Sequence, residues 1–151
     1  MNNRVWNGAS MIGGSTYTDT FIVVATDSRA VNAESPAPRG EQPTVPALEH
    51  KLLSEHPYKF THENLILEVH RLRLRLNEAE FSNRESELRA ELFAKPRACM
   101  RASSLPKRYG WGIHFDAHSH MAIYPLESAE YAKLSEDEGV TQVSAMRSSK
   151  G

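Results

Sequence analysis

The segment 99–114 holds most of the residue types in this chain that are suited to binding an anion. It contains two glycines, the only cysteine and five cationic or large aromatic residues: Arg101, Lys107, Arg108, Tyr109 and Trp111. No acidic residue occurs between Glu91 and Asp116. The planar guanidinium of arginine pairs with carboxylate or phosphate and also stacks on aromatic rings. The segment therefore predicts a binding site for a small anionic or phosphorylated ligand.

The run from Tyr109 to Phe115 alternates between large side chains and glycine or histidine. This period of two predicts a strand with one bulky face and one nearly bare face. Gly110 and Gly112 would leave room for a ligand on the bare face, and His114 would add a hydrogen bond or a response to pH. The predicted ligand-binding residues are Arg101, Lys107, Arg108, Tyr109, Gly110, Trp111, Gly112 and His114. The same pattern also fits glycines that admit a crossing helix, with the aromatic residues in the core and the cations in solvent.

Cys99 supports a second hypothesis, a cysteine-dependent enzyme. A strand over 98–102 would place Cys99, Arg101 and Ser103 on one side, and a neighbouring cation favours the reactive thiolate. His114 or His120 would then act as the base. A single cysteine in a strand is also typical of a small buried hydrophobic residue, so the sequence leaves open whether the protein is an enzyme.

Four residues near position 117 alternate in the pattern His-x-Asp-x-His-x-His: His114, Asp116, His118 and His120. Imidazole and carboxylate are zinc ligands. However, the hairpin turn expected over 116–119 would separate these side chains, and their spacing matches no specific zinc motif. We therefore predict no metal and no cofactor, and keep these four residues only as candidates.

The composition is that of an ordinary globular domain: 151 residues, 40% hydrophobic and 25% charged, with a net charge of −1. This balance argues against a general nucleic-acid binder. No apolar run reaches the ~20 residues of a membrane helix, and one cysteine excludes an internal disulfide. We expect a cytoplasmic protein of unknown oligomeric state. A third hypothesis is a protein-interaction subunit that uses Trp6, the proline-rich loop 27–46 and exposed cations.

Periodicity and capping residues outline the elements that must position these groups. A central strand is predicted over Tyr17–Thr26 and a last strand over Val140–Met146, with a hairpin from Tyr109–Phe115 and His120–Leu126 between them. The predicted helix caps are Thr44, Thr61, Asn77 or Ser82, and Ser128. With a four-residue turn, Trp111 would face Tyr124 and Ile113 would face Ala122.

Together these elements predict an α+β fold in a single domain. We expect an antiparallel sheet of about four to five strands, with three to four helices packed on one face. The domain would span residues 17–147 and include the proline-rich loop 27–46. Residues 1–16 would form a disordered tail and residues 148–151 a second tail.

Five motifs of the chain resemble a family of small uncharacterised proteins, a domain-of-unknown-function family found mainly in bacteria: Tyr17–Ile22, Pro57–Thr61, Cys99–Ser103, Lys107–Phe115 and Ala145–Ser148. The resemblance covers roughly residues 16 to 150, and the run Lys-Arg-Tyr-Gly-Trp-Gly-Ile-His at 107–114 is its most specific part. The chain differs from the family pattern at Ser104, where proline is usual, and in the turn 116–119. The resemblance supports one domain and implies no known activity, substrate or cofactor.

Overall fold

The computed structural model describes residues 17–37, 40 and 42–148. Within them, four strands form one sheet in the order β3-β2-β1-β4: β1 (Thr20–Val23), β2 (Trp111–Phe115), β3 (Met121–Pro125) and β4 (Thr141–Ser144). The helices are α1 (Val45–Glu55), α2 (His62–Leu74), α3 (Glu78–Leu92), α4 (Ser104–Arg108) and α5 (Ala129–Glu136). The predicted α+β class and the number of strands are confirmed. The predicted tail 1–16, with Trp6, and residues 149–151 lie outside the described residues.

The sheet is mixed, which corrects the prediction of an antiparallel sheet. β2 runs antiparallel to both β1 and β3, whereas β4 runs parallel to β1. The reason is α5, which follows β3 and returns the chain to the end of the sheet where β3 began. The next strand must then run in the same direction as β3 and β1.

The two faces of the sheet are covered by different helices. One face carries five buried residues into the main core, where they meet leucines of α1 and α2: Ile22, Ile113, Phe115, Met121 and Ile123. The other face carries Phe21, whose ring packs edge-on against Tyr131 of α5 at a centroid distance of 5.0 Å. The prediction that all helices pack on one face is therefore wrong for α5.

Side-chain caps begin the main helices at the predicted positions. Thr44, Thr61 and Ser128 each accept a hydrogen bond from a backbone N–H of the first turn. Asn77 and Glu80 form a reciprocal capping box, so Asn77 is the cap and Ser82 is not. No helix in the described part of the chain combines the length and the apolar character that crossing a membrane requires.

The segment before β2 differs from its prediction. The expected strand over 98–102 is a 3-10 turn at Met100–Ala102, and the expected turn after it is the short helix α4. This stretch lacks β-branched residues and closes its hydrogen bonds locally, from Ala102 N–H to the Cys99 carbonyl oxygen. The common strand side predicted for Cys99, Arg101 and Ser103 therefore does not exist.

The β2–β3 hairpin forms, but its register differs from the prediction by one residue. Trp111 pairs with Pro125 and Ile113 pairs with Ile123. The strands are joined by the five residues 116–120 rather than by four. Asp116 stabilises this longer turn, because its Oδ1 accepts hydrogen bonds from the backbone N–H groups of His118 and His120.

Candidate functional site

The predicted ligand-binding residues lie on opposite sides of the sheet. Trp111 is on the main-core side, where the centroid of its ring lies 4.8 Å from that of the His50 ring. Its Nε1–H donates a hydrogen bond to the Glu34 carbonyl oxygen. His114 shares the opposite face with Phe21, its partner in the neighbouring strand. The structure therefore does not bring Trp111 and His114 into one site.

The predicted bare strand face is occupied by aromatic rings. A Cβ atom at Gly112 would overlap the Phe21 ring and lie 2.7 Å from Cε2 of Tyr131. Gly110 has a φ of +80° and lies under the proline-rich loop, where an added Cβ would be 3.0 Å from the Asn32 carbonyl oxygen. The expectation of a bare face with room for a ligand is wrong. The alternative, that the glycines admit a crossing helix, describes Gly112, where the Tyr131 ring of α5 lies close.

The predicted cations do not converge either. Arg101 Nε donates to the Ser144 carbonyl oxygen at 2.6 Å, which ties the 3-10 turn to β4. Lys107 and Arg108 end α4, and Arg108 is exposed. The Tyr109 carbonyl oxygen accepts from the backbone N–H of Glu34 in the loop. A ligand-binding role for these residues stays a prediction.

The histidine candidates are separated as well. His114 forms a hydrogen bond with the Tyr58 hydroxyl, whereas Nδ1 of His120 lies 3.8 Å from Asp116 Oδ1 in the turn. Among the described residues, no three His, Cys, Asp or Glu side chains are grouped so that they could hold a metal ion.

His114 belongs instead to a hydrogen-bonded cluster that sequence reasoning missed. The Tyr58 hydroxyl lies 2.8 Å from His114 Nδ1 and 2.8 Å from the Tyr124 hydroxyl. Tyr58 has a left-handed backbone with φ 60°. Burial raises the pKa of Tyr58 and lowers the pKa of His114, the latter against the opposing effect of Asp116. The three side chains come from separate segments, so no local pattern could have revealed them.

A cavity of about 530 Å³ lies between α1, α2 and the segment 96–104. Six polar or reactive side chains line this main cavity: Glu49, His62, Arg97, Cys99, Ser103 and Ser104. Its volume is typical of small-molecule sites, which range from about 300 to 1,000 Å³. The main cavity is therefore the strongest candidate functional site in the described part of the chain.

Glu49 is a strongly perturbed group of the main cavity. The Ser103 hydroxyl donates to Glu49 Oε1 at 2.8 Å and accepts from the backbone N–H of Leu105, as the cap of α4. Burial raises the pKa of Glu49 to about 7, and the Ser103 hydrogen bond offsets this rise only in part. At neutral pH the carboxyl group is consequently poised between its neutral and ionised forms.

Arg97 gives the main cavity its positive side, and His62 adds a neutral polar group to the same lining. Burial, together with the neighbouring charge of Arg97, lowers the pKa of His62 to about 4, so His62 is neutral at pH 7. Arg97 is exposed, and no carboxylate within the described ranges forms a salt bridge with it. Arg97 therefore offers a guanidinium to an anion.

A side cavity of about 90 Å³ adjoins the main cavity and shares Glu49 and Arg97 with it. His70 and Arg73 of α2 also line the side cavity. Burial lowers the pKa of His70, and the charges of Arg97 and Arg73 act in the same direction. The positive side thus continues from Arg97 along α2.

Cys99 lines the main cavity, and the Tyr17 hydroxyl donates to its sulfur atom at 3.8 Å. The histidine that lines the same cavity is His62. His114 and His120, which the sequence suggested as bases for the thiol, do not line it. The structure therefore places Cys99 in a candidate site but with a different histidine.

One protein-family model matches residues 13–151. The chain belongs to that family, DUF6157, a family of unknown function. The resemblance drawn from the sequence motifs is confirmed, while the signature role of 107–114 stays a prediction. No curated protein and no solved structure matches the chain.

Proposed function

We propose that this DUF6157 protein binds a small anionic ligand in the main cavity. The observation that carries the proposal is Arg97, an arginine without a salt bridge to any described carboxylate, on the wall of a cavity of ligand size. The ligand class is the one suggested by the sequence, but the binding groups differ from Arg101, Lys107 and Arg108.

The surroundings of Arg97 suit an oxyanion. A guanidinium presents paired N–H donors that match carboxylate, phosphate and sulfate groups. Arg73 adds a second cation in the adjoining side cavity. His62, neutral at pH 7, can donate or accept a hydrogen bond without adding charge. A ligand with one or two anionic groups fits this arrangement best.

The test is a binding screen with two matched variants. Sulfate, phosphate, pyrophosphate and short dicarboxylates are tested by thermal shift and then by calorimetry. A ligand at about 100 times its Kd stabilises the fold by about 2.7 kcal/mol, which moves Tm by several degrees. Arg97→Ala removes a charged hydrogen-bond donor and should weaken binding about tenfold to a hundredfold. Arg108→Ala, at an exposed cation outside the main cavity, is the control and should bind as the wild type does.

The reverse result would favour the site expected from the sequence. If Arg108→Ala loses binding and Arg97→Ala does not, the ligand lies near α4 rather than in the main cavity. If no anion shifts Tm of the wild-type protein, the proposed function is refuted.

A cysteine-dependent reaction in the main cavity is a second candidate, favoured by the position of Cys99 on its wall beside the anion-binding groups. Iodoacetamide should then alkylate the folded protein faster than it alkylates a free thiol at the same pH, and an anion bound at Arg97 should slow the reaction. A thiol that reacts only after unfolding would contradict this candidate.

A further inference from the structure

Glu49 and Arg97 line the same two cavities, so an anion that binds Arg97 lies in a cavity that the Glu49 carboxyl group also lines. An anion bound there and an ionised Glu49 would both be negatively charged, and like charges repel each other. The protonation state of Glu49 therefore affects whether an anion can enter.

We propose that ligand binding in the main cavity is coupled to the uptake of one proton by Glu49, which then donates a hydrogen bond to the bound anion. This inference rests on the proposed function and adds a specificity-determining residue to it. It selects for ligands that present an oxygen acceptor close to their anionic group.

The hydrogen bonds of Glu49 leave one oxygen atom available for this role. Oε1 accepts from the Ser103 hydroxyl. Oε2 has no hydrogen-bond partner in the described part of the chain, and it is not among the buried atoms that lack one. Oε2 is therefore the oxygen atom of Glu49 that remains to carry a proton and to donate a hydrogen bond to a ligand.

The groups around Glu49 do not fix its charge. The polar and titratable side chains that face the two cavities with it come from α2 and the segment 96–104: His62, His70, Arg73, Arg97, Cys99, Ser103 and Ser104. None of the cations among them forms a salt bridge with Glu49. Burial dominates and raises the pKa of Glu49 to about 7, so the free protein exchanges this proton near neutral pH.

The coupling predicts how affinity depends on pH. Below pH 7 the carboxyl group is already protonated and binding takes up no proton. Above pH 7 each bound anion must be accompanied by one proton, and affinity then falls by up to about tenfold per pH unit. Between about pH 6 and pH 8 the expected loss of affinity is about tenfold.

Sulfate is a suitable probe, because its double negative charge does not change over this pH range. Its affinity is measured by calorimetry at about pH 6 and pH 8, in two buffers that differ in ionisation enthalpy, so that proton uptake is measured directly. Wild type should lose about tenfold in affinity and take up nearly one proton at pH 8. Glu49→Gln, a neutral amide of the same shape, should show neither effect. Glu55→Gln, an exposed position on the same helix, should behave as wild type does.

The outcomes separate this inference from the proposed function. If neither sulfate nor any other anion of the screen binds wild type even at about pH 6, both are refuted. If sulfate binds through Arg97 but affinity and proton uptake do not depend on Glu49, the coupling is refuted and the anion site stands. Circular dichroism and urea unfolding of Glu49→Gln confirm that the variant is folded when it is compared.

Discussion

Replacing Glu49 by Gln should make the protein more stable at alkaline pH without affecting it at acidic pH. A carboxyl group whose pKa is higher in the folded state than in the unfolded state favours folding only while it is protonated. Its ordinary pKa is 4.5 and burial raises this to about 7. The wild type therefore loses stability as the pH rises from about 4.5 to 7, and the loss is complete above pH 7.

The size of the effect follows from the pKa difference. Each pKa unit corresponds to about 1.4 kcal/mol, so the full difference is worth at most about 3 kcal/mol. Gln keeps the acceptor for the Ser103 hydroxyl and has no charge to desolvate. The advantage of Glu49→Gln over wild type should thus grow by about 3 kcal/mol between about pH 4 and pH 8.

Urea unfolding at a series of pH values measures this difference directly, through the free energies extrapolated to water. Other titrating groups cancel in the comparison of wild type and variant. Glu55→Gln, at an exposed position on the same helix, should show no growing advantage. If the difference between wild type and Glu49→Gln is the same at every pH, the carboxyl group is not desolvated, and the proposed coupling of anion binding to proton uptake by Glu49 fails with it.

Three further changes test the packing, capping and electrostatics of the fold. Gly112→Ala drives a methyl group into the Phe21 ring and should cost about 1–3 kcal/mol in urea unfolding. Gly139→Ala is its control, because the nearest atom to its new Cβ is the end of an acidic side chain 3.3 Å away. Asn77→Ala removes the capping box of α3 and should lower the unfolding free energy by about 1 kcal/mol, with m unchanged. Burial lowers the pKa of His62 to about 4. Acidification from about pH 6.5 to pH 4 should therefore lower the unfolding free energy of wild type by up to about 3 kcal/mol more than that of His62→Gln. Parallel curves of unfolding free energy against pH for the two proteins would contradict this.

Local signals predicted α1, α2, α3 and α5 but not the short helix α4, because a cap and the residues to which it hydrogen-bonds are close in sequence. Thr44, Thr61 and Asn77 each bond a backbone group within three residues. The hairpin was also local, but its register depended on one extra turn residue held by Asp116. The direction of β4 was not predictable, since it depends on where α5 packs, and α5 packs against distant residues such as Phe21.

The candidate site was harder to predict for the same reason. The sequence predicted a site at the clustered cations and glycines of 101–112. In the fold these residues belong to the 3-10 turn, α4, the stretch under the loop and β2, and they do not converge. A usable signal was nevertheless present in α1. Val45, Glu49 and Leu53 lie four residues apart and share one helix face, and Leu53 is 1% exposed. A carboxyl group one turn before the buried Leu53 is a candidate for desolvation, but only the fold shows that Ser103, His62 and Arg97 line a cavity with it.

The parallel pairing of β1 with β4 has a consequence for how the chain folds during synthesis. Thr20 pairs with Thr141, so the second partner of β1 leaves the ribosome more than a hundred residues after β1 does. Until then one edge of β1, with its backbone donors and acceptors, is open to other chains. Contacts so distant in sequence also slow folding. Nascent chains stalled before residue 141 should therefore be sensitive to protease and recruit chaperones, and protection should appear only once β4 has emerged.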